Sequence, residues 1–120
     1  MPHSALTHPG LVAGFILASL LPALAFEGRY RTPANSMTIR STGSGLFKVD
    51  AEISSSRCVG VISARGRLQG DRLVAEAKED GEVCRLEIRR KGRGIEVSES
   101  GQCSLFHGAN CNYVGTYSPR

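Results

Sequence analysis

Residues 84–97, read as Cys84-Arg-Leu-Glu-Ile-Arg89, Arg90-Lys-Gly-Arg-Gly94 and Ile95-Glu-Val97, decide the fold. Cys84, Leu86 and Ile88 alternate with Arg85, Glu87 and Arg89, the period of two that marks a strand with one buried and one solvated face. The glycine-rich connection reverses the chain, and Ile95 and Val97 flank an outward Glu96 to complete a hairpin. Toward the N-terminus the rule recurs. Leu73, Ala75 and Ala77 face inward, as do Cys58, Gly60, Ile62, Ala64 and Leu68, while Ser63, Arg65 and Arg67 face outward. Phe47, Val49, Ala51 and Ile53 alternate with Lys48, Asp50 and Glu52, and Met37 and Ile39 begin the series. Ser41–Gly45, Gln69–Asp71 and Lys78–Glu82 supply the turns. A helix over Arg72–Glu82 is the one competing assignment; the stretch is short and its end carries a glycine, so it reads as strand.

The β-prone triplets Gly28-Arg-Tyr30 and Gly115-Thr-Tyr117 open and close this series. Their pairing would close the meander and remove the exposed edges that invite association. The predicted fold is all-β, a small antiparallel meander closed as a barrel or two-layer sandwich.

Ahead of the strands, residues 11–25 form an apolar run ending in Ala23-Leu-Ala25, the small-residue pattern of a secretory cleavage site. It is shorter than the roughly 20 apolar residues of a spanning helix. Residues 1–25 therefore read as a signal peptide and 26–120 as a single domain, periplasmic or secreted, with no stable membrane insertion after cleavage. Cys58, Cys84, Cys103 and Cys111 then reach a compartment where disulfides persist, and a domain this small benefits from them. Inward alternation of Cys58 and Cys84 predicts that these two pair, leaving Cys103 with Cys111, one of three possible connectivities. The spacing lacks the paired C-x-x-C knuckles of a zinc site, and no cofactor motif is present.

All 15 Lys and Arg and all 11 Asp and Glu residues lie in the domain, giving it a net charge of +4. Arginine dominates, with lysine only at positions 48, 78 and 91, and arginine suits bidentate contacts to carboxylate or phosphate. Arg65, Arg67, Arg85, Arg89, Lys91 and Arg93 are the candidate anion-binding residues, beside a rigid loop presenting Phe106 and His107. Aromatic residues do not interleave with the basic ones, which argues against nucleic acid. His107, near Ser104, is the sole domain histidine able to serve as a general base, but no nucleophile elbow accompanies it. The domain reads as non-catalytic.

Cys103 to Cys111, the ending Asn112-Tyr-Val-Gly-Thr-Tyr117-Ser-Pro-Arg120 and the opening Phe26-Glu-Gly-Arg-Tyr30 resemble small secreted proteobacterial β-domains. Related domains accompany periplasmic lysozyme-inhibitor-like proteins. The resemblance implies a barrel-like periplasmic module that binds a partner. The expected function is recognition of a protein or an anionic envelope component; the alternative is inhibition of a lysozyme or other cell-wall hydrolase, with the Phe106 loop entering the enzyme cleft.

Overall fold

The computed structural model describes residues 25–120, so the leader, apart from Ala25, lies outside the described residues. Eight antiparallel strands follow one another around a closed barrel in sequence order. They are β1 (Gly28–Arg31), β2 (Asn35–Gly43), β3 (Leu46–Ser54), β4 (Val59–Gln69), β5 (Arg72–Glu79), β6 (Glu82–Lys91), β7 (Gly94–Gly101) and β8 (Gly115–Pro119). Of the two closed forms expected, the chain adopts the barrel. Residues 72–79 are strand, so the competing helix does not form.

The reversals are tighter than the glycine-rich clusters suggested. Lys78–Glu82 narrows to Asp80-Gly81, both at positive φ (51° and 79°), the requirement of the two-residue turn whose twist matches its flanking strands. Short turns let β5 and β6 stay paired to Glu79 and Glu82. Closure joins β1 to β8 as expected, but through Tyr30 with Pro119 and Arg31 with Ser118.

The interior is filled by the predicted inward residues, with Val49, Leu73, Leu86, Ile88 and Ile95 fully buried; Leu68 is only half-buried, and Cys58 lies half-buried ahead of β4 instead of inside the barrel. Both barrel ends are sealed from within. At one, Phe26 lies edge-on to Phe47 with ring centroids 6.5 Å apart, and the Tyr30 hydroxyl donates to the Phe26 carbonyl at 2.9 Å. At the other, the long β7–β8 connection folds across the mouth. Tyr113 and Tyr117 are buried there: Tyr113 Oη donates to the Phe106 carbonyl at 2.6 Å, and Tyr117 Oη donates to the Tyr113 carbonyl at 2.7 Å. Asn35 Nδ2 donates to both Tyr117 Oη and the Asn112 carbonyl, each at 3.0 Å.

That connection fills a split in the wall. Strands β4 and β5 pair only from Arg65 with Glu76 to Gln69 with Arg72. Beyond this the edge of β4 accepts the connection instead, through a Gly60–His107 bridge and a bond from the Gly108 amide to the Val59 carbonyl at 3.3 Å. A Cβ at Gly60 would lie 2.7 Å from the Phe106 carbonyl oxygen, so only glycine admits this approach.

The disulfides join Cys58 to Cys111 and Cys84 to Cys103, correcting the expected pairing of Cys58 with Cys84 and Cys103 with Cys111. The reason is topological. Strand β5 separates β4 from β6, whereas Cys84 sits opposite Gly101 on β7, two residues before Cys103. Cys111 then crosses the mouth to reach Cys58 at the start of β4. The segment between Cys103 and Cys111 is thereby fastened to the wall on both sides of the split.

Candidate anion-binding groove

The outer face of the barrel carries a cross-strand row that follows directly from the register. Arg40 on β2 pairs with Lys48 on β3, Lys48 with Arg65 on β4, Arg65 with Glu76 on β5, and Glu76 with Arg85 on β6. All four cations are exposed. Like charges directly opposite one another on a sheet face destabilise it, so three successive cations are an unfavourable arrangement unless counter-charges offset them.

Little within the protein does so. Glu76, the only carboxylate in the row, is committed to Arg85, whose Nε and Nη2 both donate to Glu76 Oε2 at 3.0 and 2.8 Å. Lys48 Nζ lies 4.0 Å from Asp50 Oδ2, a loose pair about half exposed on both sides, and Asp50 also accepts from Ser63 Oγ at 2.7 Å. Among the described residues, Arg40, Arg65 and Arg67 make no salt bridge.

A groove of about 1090 Å³ opens over β3, β4 and β5 and contains Lys48, Arg65, Arg67 and Arg85. Arg67 stands between Leu46 and Val74 in its own row, and Val74, though outward, is only 7% exposed. Apolar floor beneath arginine stems leaves the guanidinium groups at the rim.

The structure divides the sequence-predicted site residues among three places. Arg65, Arg67 and Arg85 come together in the groove. Arg89, Lys91 and Arg93 lie farther along β6 and in the following turn, where Arg89 Nη2 meets Glu87 Oε1 at 3.1 Å and Lys91 Nζ meets Glu96 Oε2 at 3.3 Å. The Arg89 hydrogen bond, with the charges of Arg72 and Arg89, holds the Glu87 carboxyl below its ordinary pKa. Phe106 and His107 sit in the barrel-mouth segment, Phe106 half-buried against the core.

His107 is a clasp. Its Nδ1 lies 2.7 Å from the Gly108 carbonyl and its Nε2 lies 2.8 Å from Glu99 Oε1, with side chains only 11% and 15% exposed for His107 and Glu99. A carbonyl and a carboxylate only accept, so full satisfaction requires a proton on both ring nitrogens. Burial pulls the imidazole pKa down, but the Glu99 hydrogen bond, the Gly108 carbonyl and the Glu99 charge outweigh it and raise the pKa above 6.5. Glu99 Oε2 also accepts from the Tyr113 amide at 2.9 Å, and the His107 ring meets Tyr113 edge-on at 5.6 Å. Burial first, then the Glu99 charge, raise the Tyr113 hydroxyl pKa; burial pushes Tyr117 up to about 12. A shallow recess gathers Glu82, Glu99, Ser104 and His107, yet neither histidine nitrogen is left to take a proton from Ser104.

Sequence reasoning missed Arg40, Lys48 and Glu99. The outward direction of Lys48 was legible, but its neighbours depend on the register across the Ser41/Gly43 bulge. Glu99 continues the inward series of Ile95 and Val97, and that was its signal. No family model, curated protein or solved structure matches this chain.

Proposed function

We propose that the protein is a non-catalytic binding module of the periplasm or cell exterior that holds an anionic envelope component on the outer face of β2–β6. The observation that carries this reading is the run of Arg40, Lys48 and Arg65 on three successive strands, in which, among the described residues, only Lys48 has a salt-bridge partner, the loosely held Asp50, beside a groove that also holds Arg67 and Arg85. Two disulfides are compatible with an extracytoplasmic location. The half-buried Phe106 and the clasped His107 favour the basic face over the barrel mouth as the working surface.

The test compares Arg40→Gln/Lys48→Gln/Arg65→Gln with Arg89→Gln/Lys91→Gln/Arg93→Gln, which remove equal charge from different places. Binding of the oxidised protein to a carboxymethyl-dextran surface is measured from low to high salt. The row variant should bind at least about tenfold more weakly at low salt while the turn variant stays near wild type. Equal losses would mean that net charge alone acts, and the reading would fail.

A further inference from the structure

Resting on the anion-binding reading above, we infer that the ligand is an extended acidic polysaccharide, lying across the strands with successive carboxylates on Arg40, Lys48 and Arg65. The register sets the geometry. Neighbouring strands are about 4.8 Å apart, so the two steps from β2 to β4 spread these three cations over about 10 Å of curved surface. One compact anion reaches no more than two adjacent members of such a line. Several anionic groups on one chain can occupy it together, and each contact after the first becomes intramolecular.

The groove also distinguishes among polyanions. Thr42, Ser63 and Gln69 line it beside the cations and offer neutral hydroxyl and amide partners to sugar hydroxyls. The planar guanidinium groups match carboxylates in bidentate geometry. Single-stranded nucleic acid would require stacking platforms; among the described residues, Phe26, Tyr30, Phe47, Tyr113 and Tyr117 are buried, and Phe106 is half-buried at the barrel mouth. The row runs around the convex outer face of the closed barrel, so a planar anionic bilayer would touch its middle without reaching its full line of cations.

The test titrates the oxidised protein with galacturonate monomer, dimer, tetramer and octamer, and separately with inorganic phosphate, single-stranded DNA and anionic phosphatidylglycerol vesicles. Affinity should rise about a hundredfold or more from dimer to octamer. The logarithmic salt slope for the octamer should be about −2, as for three contacts to a single-stranded polyanion, and fall below about −1 in magnitude in Arg40→Gln/Lys48→Gln/Arg65→Gln. These substitutions are on the exposed outer face and leave the core intact. Monomer binding as tight as octamer binding would overturn the extended mode. Binding of phosphate, DNA or vesicles without the octamer would overturn the polysaccharide while leaving the anion site standing. Failure of every anion would overturn both.

Discussion

Replacing Cys58 and Cys111 together by serine should lower stability by about 4 kcal/mol. The magnitude follows from the observed pairing: a cross-link spanning 53 residues removes roughly that much chain entropy from the unfolded state at 25 °C, against about 2.5 kcal/mol for the eight-residue loop that a Cys103–Cys111 bridge would close. Both cysteines are partly exposed, so serine leaves no buried hydroxyl without a partner. A domain of this size has a total stability of roughly 5–14 kcal/mol, which makes the bridge a large share of it. Urea unfolding of wild type and double variant, both oxidised, reads the loss as a lower midpoint with a steeper slope, because the unfolded chain freed of the cross-link exposes more surface. Exchange of the Gly108 amide should also accelerate, because its bond to the Val59 carbonyl is held at the end that Cys111 fastens. A loss below about 1 kcal/mol would refute the reasoning, since contacts within the mouth segment would then hold it without the cross-link.

The His107–Glu99 pair makes stability fall with rising pH: a histidine pKa raised on folding contributes fully below about 6.5 and ceases to contribute as pH rises through the folded value. Urea midpoints from acid to mildly alkaline pH should show this decline in wild type and lose it in His107→Gln. Gly60→Ala should cost about 1–3 kcal/mol, because its Cβ meets the Phe106 carbonyl at 2.7 Å and the His107 Cβ at 2.8 Å; thermal unfolding matching wild type would show that the mouth segment does not press on β4. Tyr117→Phe leaves the Tyr113 carbonyl without its donor and removes an acceptor of Asn35 Nδ2, for a loss of about 1–3 kcal/mol in urea.

Alternation carried the fold because it is local: each strand's inward set, from Met37 to Val97, needs only its own residues to be recognised. The first and last strands were legible only as matching β-prone triplets, and their register was not. Alternation tells which way a side chain points and says nothing about which strand lies beside it. Cys58 and Cys84 both looked available to the core, yet β5 stands between their strands, and Cys103 arrives beside Cys84 only because β7 runs back along β6. The groove was half legible on the same logic. Arg65, Arg67 and Arg85 were visible as outward cations, whereas the addition of Arg40 and Lys48 to their row depends on a two-residue turn and a bulge. The barrel-mouth segment has no period at all. Its conformation rests on Glu99, Tyr113 and Gly60, residues far apart in sequence whose roles appear only when the split between β4 and β5 is seen.

The central claim is that the outer face of β2–β6 holds the ligand, and amide chemical-shift mapping of the isotope-labelled, oxidised protein with galacturonate octamer tests it most directly. Perturbations should concentrate at Arg40, Lys48 and Arg65 and leave Phe106, His107 and the β6–β7 turn unmoved. Shifts centred on the Cys103–Cys111 segment, or none at saturating octamer, would contradict it.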